Sequence, residues 1–415
     1  MSDLFTSDFF AGNRAKLREL CGAEVSIVVT ANGLLQRGGD STYPFHQDAY
    51  FWYLTGVTDP DIVLVVDGDD EFLIVPGRDS SRQAFDGAID ESTLLQHSGI
   101  KRIYDEKEGW QRLQDQLKQS KRVATLAAAP AYIEQQGFYT NPARARLVQA
   151  IKENQPDIDI TDMSRQLVQL RVIKQAPELL AIRQAIDITI DTLKAVTEPA
   201  ELEKFTQEYQ VEAAISQGFR SRGADGHAFE PIVASGKRAC TLHNIANNGP
   251  LDTGELLLLD VGAEVEHYAA DITRTVALGA PTPRQQAVFD AAHDVQEYAK
   301  SLLKPGVIIR EYERQIEQYM GKKLQELKLI KTVEHEAVRQ YYPHATSHFM
   351  GLNVHDVGDY QQPLTPGMVL TVEPGIYIPE EGIGVRIEDD VLVTENGIEV
   401  LSERLPRTLG SPTIK

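Results

Sequence analysis

One stretch of the chain, LLLLDVGAEVEHYAADITRT, limits the fold more than any other. Four consecutive leucines form an apolar strand that ends at Asp260, and Gly262 permits a bend. The return strand carries Asp271, so we expect two carboxylates to face each other across a hairpin. Ionised carboxylates that lie close together in a partly buried site repel each other, and burying either charge alone is unfavourable. We therefore predict that one or two metal ions lie between them.

The same arrangement occurs again near the C-terminus, in MVLTVEPGIYIPEEGIGVRIEDDVLV. An apolar strand ends at Glu373, a Pro-Gly bend follows, and the return strand carries Glu388. The stretch between the two hairpins, YYPHATSHFMGLNVHDVG, contains His344, His348 and His355. If the two hairpins lie side by side in one sheet, four acids and a histidine cluster converge. The repetition indicates a duplicated half-domain.

The types of ligand restrict the metal and the chemistry. Carboxylates with a single imidazole suit hard or borderline divalent ions, so we expect Mn²⁺, with Zn²⁺, Co²⁺ and Fe²⁺ as alternatives. Four carboxylates exceed what one tetrahedral Zn²⁺ normally binds, whereas two ions that share bridging carboxylates would use them all. Two ions about 3.5 to 4 Å apart can deprotonate a shared water and polarise a carbonyl. The pattern therefore predicts hydrolysis of an amide.

Charge and N-terminal sequence restrict the partners and the location. A formal net charge of −20 argues against nucleic acid or an anionic membrane as partner, because both bind clustered Lys and Arg. The start, MSDLFTSDFF, lacks the basic residues and long apolar run of a signal peptide. Cys21 and Cys240 follow no metal-binding or redox spacing. We therefore expect a cytoplasmic protein with reduced cysteines.

The length of 415 residues and a change of pattern near Pro156 predict an α/β (α+β) protein of two domains. Residues 1–160 alternate strand and helix signals and indicate a small α/β domain, whereas residues 161–415 contain the acidic hairpins.

In the first domain, the aromatic run at residues 48–56, DAYFWYLTG, predicts core packing and an edge strand. In the second, residues 198–217 predict one continuous helix.

These stretches resemble the creatinase and methionine aminopeptidase superfamily, which has the pita-bread fold, and within it the aminopeptidase P group. DAYFWYLTGVTDPDIVLVV resembles the N-terminal domain of that group. FEPIVASGKRACTLH, LLLLDVGAEVEHYAADITRT, HATSHFMGLNVHDVG, MVLTVEPGIYI and GVRIEDD resemble its catalytic domain in the expected order. The resemblance covers nearly the whole chain. It implies a creatinase-like N-terminal domain, a pita-bread catalytic domain, and an enzyme that releases an N-terminal residue preceding proline.

The resemblance also implies a role for each acid of the two hairpins. Asp260 and Asp271 would be metal ligands, and Asp271 would bridge two ions. His348 and Glu373 would bind the second ion, and Glu388 would be the other bridge. The carboxylate of Glu373 would also accept a proton from the attacking water.

A second group of residues is implied to act on the substrate. His243 and His355 would contact the substrate and stabilise the tetrahedral intermediate or shuttle protons. Arg386 would orient the metal ligands, and His344 and Tyr377 would line the pocket.

Proline requires a dedicated pocket, because it lacks an amide hydrogen and its ring fixes φ. We expect an apolar pocket with histidine walls, and we predict Tyr342, His344 and His355 as those walls. The aromatic run around Trp52 resembles a segment that, in relatives, reaches the active site of a neighbouring subunit and limits peptide length. The resemblance therefore implies a homo-oligomer, either a dimer or a tetramer.

Four features depart from the family pattern. His46 stands where relatives commonly have Arg, Asn244 replaces an aromatic residue, and Ala345 replaces a glycine. Residues 355–373 contain no Lys or Arg, where some relatives offer a cation to the substrate. None of the three substituted positions is an implied ligand, so the departures leave open the peptide length and the preferred first residue.

Three other functions compete with this interpretation. A prolidase would share the ligands, fold and proline preference but accept only dipeptides, and a tripeptide such as Xaa-Pro-Pro would discriminate. The motifs HATSHFMGLNVHD and FWYLTG favour aminopeptidase P. A creatinase-like hydrolase needs no metal, and a catalytically silent binding module is expected to lose ligands. Retention of all five implied ligands argues against both.

Overall fold

The computed structural model describes residues 4–78, 80–120, 122–126, 133 and 137–410. The chain divides into two compact units, Met1–Arg171 and Val172–Lys415. Among the helices that the structure describes, none combines the length and the apolar character needed to cross a bilayer.

The first unit is built on a mixed β-sheet covered by helices. Its described strands are Ser26–Thr30 (β1), Val63–Asp67 (β2), Asp70–Val75 (β3), Ile103–Asp105 (β4), Arg122–Thr125 (β5) and Asp159–Asp162 (β6). They form one sheet in the order β4-β3-β2-β1-β5-β6. Its described helices are Ser7–Cys21 (α1), Ala49–Thr55 (α2), Ser80–Asp86 (α3), Glu91–Ser98 (α4), Glu106–Gln119 (α5), Ala143–Asn154 (α6) and Ser164–Arg171 (α7). Apolar residues of β1, β2 and β3 pack against α5 and α6, which gives the predicted α/β core.

The aromatic run at residues 48–56 forms helix α2, so the prediction of an edge strand there was wrong. The carboxylate of Asp48 accepts hydrogen bonds from the backbone N–H groups of Tyr50 and Phe51. Gly56 ends the helix in the left-handed conformation, at a φ of 66°. An Asp cap and a terminal glycine therefore outweigh the strand preference of the aromatic residues between them.

The second unit contains the two acidic hairpins and the helices that cover them. Its described helices are Ala176–Val196 (α8), Pro199–Leu202 (α9), Glu208–Ser221 (α10), Pro283–Leu302 (α11), Ile309–Glu326 (α12) and His335–Arg339 (α13). Strands of its first half are Gly226–His227 (β7), Ile232–Ser235 (β8), Leu256–Val261 (β9), Ala263–Val265 (β10), Tyr268–Ala269 (β11) and Ile272–Ala277 (β12). Strands of its second half are Val369–Val372 (β13), Gly375–Ile378 (β14), Ile383–Arg386 (β15), Asp389–Thr394 (β16) and Gly397–Val400 (β17).

The helix predicted over residues 198–217 is broken into α9 and α10, so that prediction was wrong. Between the two helices, Gln207 forms a β-bridge with Pro250, and the N–H of Glu208 donates to the Gly249 carbonyl at 2.9 Å. The side chain of Gln210 caps the start of α10 by accepting from the Gln207 N–H. Pairing with a distant segment thus replaces helical hydrogen bonds at this point, which helical periodicity alone does not reveal.

Each acidic hairpin is an antiparallel pair of buried strands. In the first, β9 pairs with β12 and Asp260 lies opposite Thr273, whereas Asp271 immediately precedes β12. The two carboxylates of this hairpin are therefore not directly opposed. In the second, β13 pairs with β16, and the pairing of Val372 with Asp389 leaves the acids just beyond it at the same end.

The two hairpins lie side by side and contact each other through their return strands. The N–H of Asp271 donates to Oδ2 of Asp390 at 3.1 Å, and the N–H of Glu388 donates to the Thr273 carbonyl at 3.1 Å. One step further, the N–H of Arg386 donates to Oγ1 of Thr275 at 3.2 Å. The contacting positions rise along the first segment (271, 273, 275) as they fall along the second (390, 388, 386), so the two segments are antiparallel. The predicted convergence of two matching hairpins is confirmed.

Candidate metal centre

A cavity of about 350 Å³ opens over the ends of the two hairpins. All five predicted metal ligands line it, as do three predicted substrate histidines and Arg386. The full lining is Phe229, Glu230, Ile232, Leu242, His243, Ile245, Asp260, Asp271, His344, His348, Val354, His355, Glu373, Arg386 and Glu388. Residues that are up to 159 positions apart in the sequence, from 229 to 388, thus surround one space.

His348 is oriented so that one ring nitrogen faces the acids. Its Nδ1 lies 3.1 Å from the carbonyl oxygen of Phe349, which can only accept, so Nδ1 carries the hydrogen. Nε2 then presents its lone pair 3.4 Å from Oδ2 of Asp271 and 3.5 Å from Oε1 of Glu373. Burial lowers the pKa of His348, which keeps the ring neutral. Three electron-pair donors therefore face one another, which is the arrangement that a cation stabilises.

The carboxylates of the cluster also fit a divalent ion. Ligand atoms of Asp271, His348 and Glu388 all lie within 4.8 Å of one another. Burial, reinforced by Asp260, raises the pKa of Asp271 well above its ordinary value. Burial also raises the pKa of Glu388, with Asp271 adding to the effect. The Oδ1 atoms of Asp260 and Asp271 are buried, and within the part of the chain that the structure describes they have no hydrogen-bond partner. Unpaired buried oxygens and crowded acids are what a bound divalent ion would satisfy.

Glu373 completes the acidic cluster from the second hairpin. Its Oε1 faces His348, and its N–H donates to the Thr346 carbonyl at 2.8 Å, which fixes the strand end. Burial raises the pKa of Glu373 well above its ordinary value, and the nearby Glu388 raises it further.

Arg386 holds ligands from both hairpins. Its Nη2 pairs with Oδ2 of Asp260, and its Nε donates to Oγ1 of Thr273 at 3.1 Å. The Thr273 hydroxyl in turn donates to Oε2 of Glu388 at 2.6 Å. A single guanidinium therefore contacts one predicted ligand directly and another through a hydroxyl, and its role in orienting metal ligands stays a prediction.

His344 is held by a chain of hydrogen bonds that begins at Arg386. Nη1 of Arg386 donates to the Tyr377 hydroxyl at 2.7 Å, and that hydroxyl lies 2.8 Å from Nε2 of His344. On the other side, Nδ1 of His344 lies 2.8 Å from the Ala345 carbonyl oxygen. Burial, followed by the positive charge of Arg386, lowers the pKa of His344 to about 3. The ring is therefore neutral, with its hydrogen on Nδ1 and Tyr377 donating to Nε2.

The two remaining predicted histidines, His243 and His355, also line the cavity. The ring of His355 packs edge-on against that of His348, with centroids 4.4 Å apart. Burial, and then the nearby His348, lowers the pKa of His355 to about 4. His243 is exposed on the cavity surface. We call His243, His344 and His355 the histidine wall.

Three predicted residues lie outside the lining of this cavity. Tyr377 stands behind His344, and Tyr342 is fully buried, with its ring 5.3 Å from that of His344. Trp52 belongs to helix α2 of the first unit, where it is 3% exposed and packs edge-on against Phe10 at 5.4 Å. The role of Trp52 at the site of a neighbouring subunit stays a prediction.

Two residues that support the cluster were missed by sequence reasoning. Thr273 links Arg386 to Glu388, and Asp390 accepts the N–H of Asp271 at 3.1 Å. Both lie two residues after an acid of the cluster, on the face of the strand that the acid also occupies. This alternation is visible in DITRT and EDD and could have identified both residues.

Comparison with known proteins agrees with this geometry. Residues 181–395 match metallopeptidase family M24, and residues 10–125 match the aminopeptidase P N-terminal domain. Xaa-Pro aminopeptidase 3 of Rattus norvegicus is 33% identical over 417 residues, which cover 93% of this chain and 79% of that protein. Xaa-Pro aminopeptidase of Escherichia coli (strain K12) is 31% identical over 427 residues, which cover 97% of this chain and 96% of that protein.

A solved structure from the same group has the same fold. The structure of Zn-substituted Escherichia coli aminopeptidase P in complex with product aligns with a TM-score of 0.87 at 29% sequence identity, covering 97% of this chain and 96% of that chain. The second unit thus has the predicted pita-bread fold, and the first has the fold of the aminopeptidase P N-terminal domain. This chain therefore belongs to metallopeptidase family M24 and, within it, to the aminopeptidase P group.

Proposed function

We propose that this protein is a metal-dependent Xaa-Pro aminopeptidase, which releases the N-terminal residue from peptides with proline in the second position. The observation that carries this proposal is the placement of the Asp271, His348 and Glu388 cluster directly beside the histidine wall. A centre that can activate water and a pocket that can hold a proline ring then share one cavity. The names of the relatives support the same activity.

Residues of the metal cluster and residues of the histidine wall have different roles in hydrolysis. When bound, divalent metal would activate a water and polarise the scissile carbonyl. Glu373 accepts the proton of the attacking water, and Arg386 holds Asp260 and Thr273 in place throughout. His243 and His355 donate hydrogen bonds to the substrate as negative charge develops on its carbonyl oxygen. His344, fixed by Tyr377, packs against the proline ring.

We also propose two ions in the centre, with Mn²⁺ as the ion bound in the cell. The number of carboxylates supports two ions, because Asp260, Asp271, Glu373 and Glu388 exceed what one ion normally binds, and Asp271 and Glu388 would be the residues to share between two. Elemental analysis of protein purified without chelator gives the metal and its stoichiometry, and one ion per chain would contradict the dinuclear proposal. Homo-oligomerisation and a cytoplasmic location stay predictions from the sequence.

The activity is tested by removing the metal and restoring it. We would treat the protein with a chelator, add Mn²⁺, Zn²⁺ or Co²⁺ separately, and follow Xaa-Pro and Xaa-Pro-Pro cleavage by mass spectrometry. Metal-dependent release of the first residue from both peptides is expected. Cleavage of the dipeptide alone would favour a prolidase, and no cleavage with any metal would favour a silent binding module.

Matched variants connect that activity to the cluster. His348→Ala removes a ligand and should abolish both activity and metal binding. His335→Ala removes an exposed histidine that pairs with Glu317 on the surface, and it should leave both unchanged.

A further inference from the structure

Glu230 lies on a short segment whose backbone is fixed on both sides. Before it, the N–H of Ala228 donates to the Gly262 carbonyl at 2.9 Å. After it, Nδ2 of Asn247 donates to the Pro231 carbonyl at 2.8 Å. The proline also restricts its own φ and the conformation of the residue before it. The carboxylate of Glu230 is therefore presented from a rigid position.

The side chain of Glu230 is exposed and lines the cavity of the metal centre. Within the described ranges of the chain, no salt bridge involves Glu230. His227, which interacts electrostatically with Glu230, is neutral near pH 7 because burial lowers its pKa. Glu230 therefore places a negative charge at the edge of the cavity, and among the described lining residues the one Arg or Lys is Arg386, which pairs with Asp260.

Apolar side chains line the cavity together with Glu230. Phe229, Leu242 and Ile245 line the cavity with Glu230, and we call these three residues the apolar wall. The other charged lining residues belong to the metal centre or its supporting arginine. An apolar surface that ends in a single carboxylate is complementary to an arginine or lysine side chain, which has an apolar stem and a cationic end.

Strand geometry separates Glu230 from the reacting atoms. Ile232 lies directly opposite Asp260 in the pairing of β8 with β9, and Glu230 precedes it by two residues, or about 7 Å of extended chain. The α-amino nitrogen of a peptide lies about 2.5 Å from its first carbonyl carbon, so it must stay near the metal centre. A lysine or arginine side chain extends about 6 Å from its Cα and can reach the edge of the cavity.

We propose that Glu230 selects peptides whose first residue is arginine or lysine, by pairing with the cationic end of that side chain. The inference rests on the proposed aminopeptidase function, in which the histidine wall receives proline and the apolar wall receives the first side chain. It assigns a chemical class to the first residue that the enzyme prefers.

The test compares Arg-Pro-Pro with citrulline-Pro-Pro, because citrulline has nearly the shape of arginine without its charge. We expect kcat/KM for the arginine peptide to be about five-fold higher, a size typical of a pair that stays partly hydrated. Glu230→Gln should lower this ratio to about 1, and Glu230→Lys should reverse it. Glu395→Gln, which neutralises an exposed acid outside the cavity, should leave the ratio unchanged.

The outcomes separate the two proposals. Equal cleavage of both peptides by the unmodified enzyme would overturn the role of Glu230 and leave the aminopeptidase function intact. An equal loss of kcat/KM for both peptides in Glu230→Gln would also overturn the role of Glu230, because such a loss would mean that Glu230 contacts the α-amino group or the peptide backbone. If neither peptide is cleaved, calorimetry measures the affinity of each peptide for the Mn²⁺-loaded protein. Tighter binding of the arginine peptide that Glu230→Gln removes would support the inference. Equal affinities for the two peptides would overturn it.

Discussion

Nζ of Lys174 lies 3.1 Å from Oδ2 of Asp356, and each side chain is 1% exposed. Asp356 directly follows His355 in the histidine wall, so this ion pair lies beneath the segment that carries two histidines of the site. Gly351 leaves the room that the pair needs, since a Cβ there would lie 2.3 Å from Oδ2 of Asp356 and 2.9 Å from Nζ of Lys174. The pair holds the segment from His348 to His355 against the unit.

Replacing Lys174 with methionine should destabilise the protein by about 3–5 kcal/mol, because Asp356 would keep a buried charge without its partner. The midpoint of urea unfolding, followed by circular dichroism, measures the loss. Lys204→Met is the matched control, since it breaks an exposed pair with Glu201 and should cost less than about 1 kcal/mol. Similar small losses in both variants would show that the buried pair does not hold the segment.

Replacing Gly262 with alanine should disrupt the metal centre. A Cβ at this position would lie 1.7 Å from the Ala270 carbonyl oxygen, so the backbone between Asp260 and Asp271 would have to move. We expect a loss of stability of about 3 kcal/mol and reduced metal content, measured by thermal unfolding and elemental analysis. Gly397→Ala, where a Cβ meets nothing within 4 Å, should retain full metal content. Normal metal content in both variants would refute the argument.

Removal of metal should lower the thermal stability of the protein. The buried acids of the two hairpins repel one another without a cation, and an ion that binds only the folded state adds about 2.7 kcal/mol at 100 times its Kd. Differential scanning calorimetry with chelator, and again after Mn²⁺ is restored, measures the effect. The shift should vanish in Glu388→Gln, which weakens a predicted ligand in the cluster. A melting temperature that does not respond to chelator in the unmodified protein would contradict this expectation.

Cys240 should react slowly with alkylating reagents in the folded protein. Burial raises the pKa of its thiol to about 11 from an ordinary value of 9.0. The thiolate is the nucleophile, so at pH 8 the rate with iodoacetamide should be about 100-fold below that of an ordinary thiol. Peptide mass spectrometry gives the rate, and the same protein in urea provides the unperturbed reference. Equal rates in the two conditions would show that burial does not suppress the thiolate.

Much of the centre was predictable because its acids follow local rules. Asp260 and Glu373 come at the ends of apolar runs, and a glycine two residues later marks each bend. Such signals depend only on neighbours in sequence, so they predict each hairpin without knowledge of the contact between the two hairpins.

The contacts between distant segments could not be read in this way. The buried pair of Lys174 and Asp356 joins residues 182 positions apart, and neither lies in a pattern that predicts burial. The break before Glu208 and the helix at Trp52 were missed for related reasons. In the first case a distant segment competes for the backbone, and in the second an Asp cap and a terminal glycine outweigh the preferences of the residues between them.

The contact of Thr273 with Glu388 spans 115 positions of the chain, which has a consequence for how the protein acquires activity. Contacts between residues so far apart in sequence form slowly, so we expect the two hairpins to meet late in folding. An emerging chain would carry Asp260 and Asp271 well before Glu388 has been synthesised. Two of the five predicted ligands cannot hold the ion as the complete set does. Tight metal binding therefore requires the completed chain, and we expect unfinished chains to be inactive as peptidases.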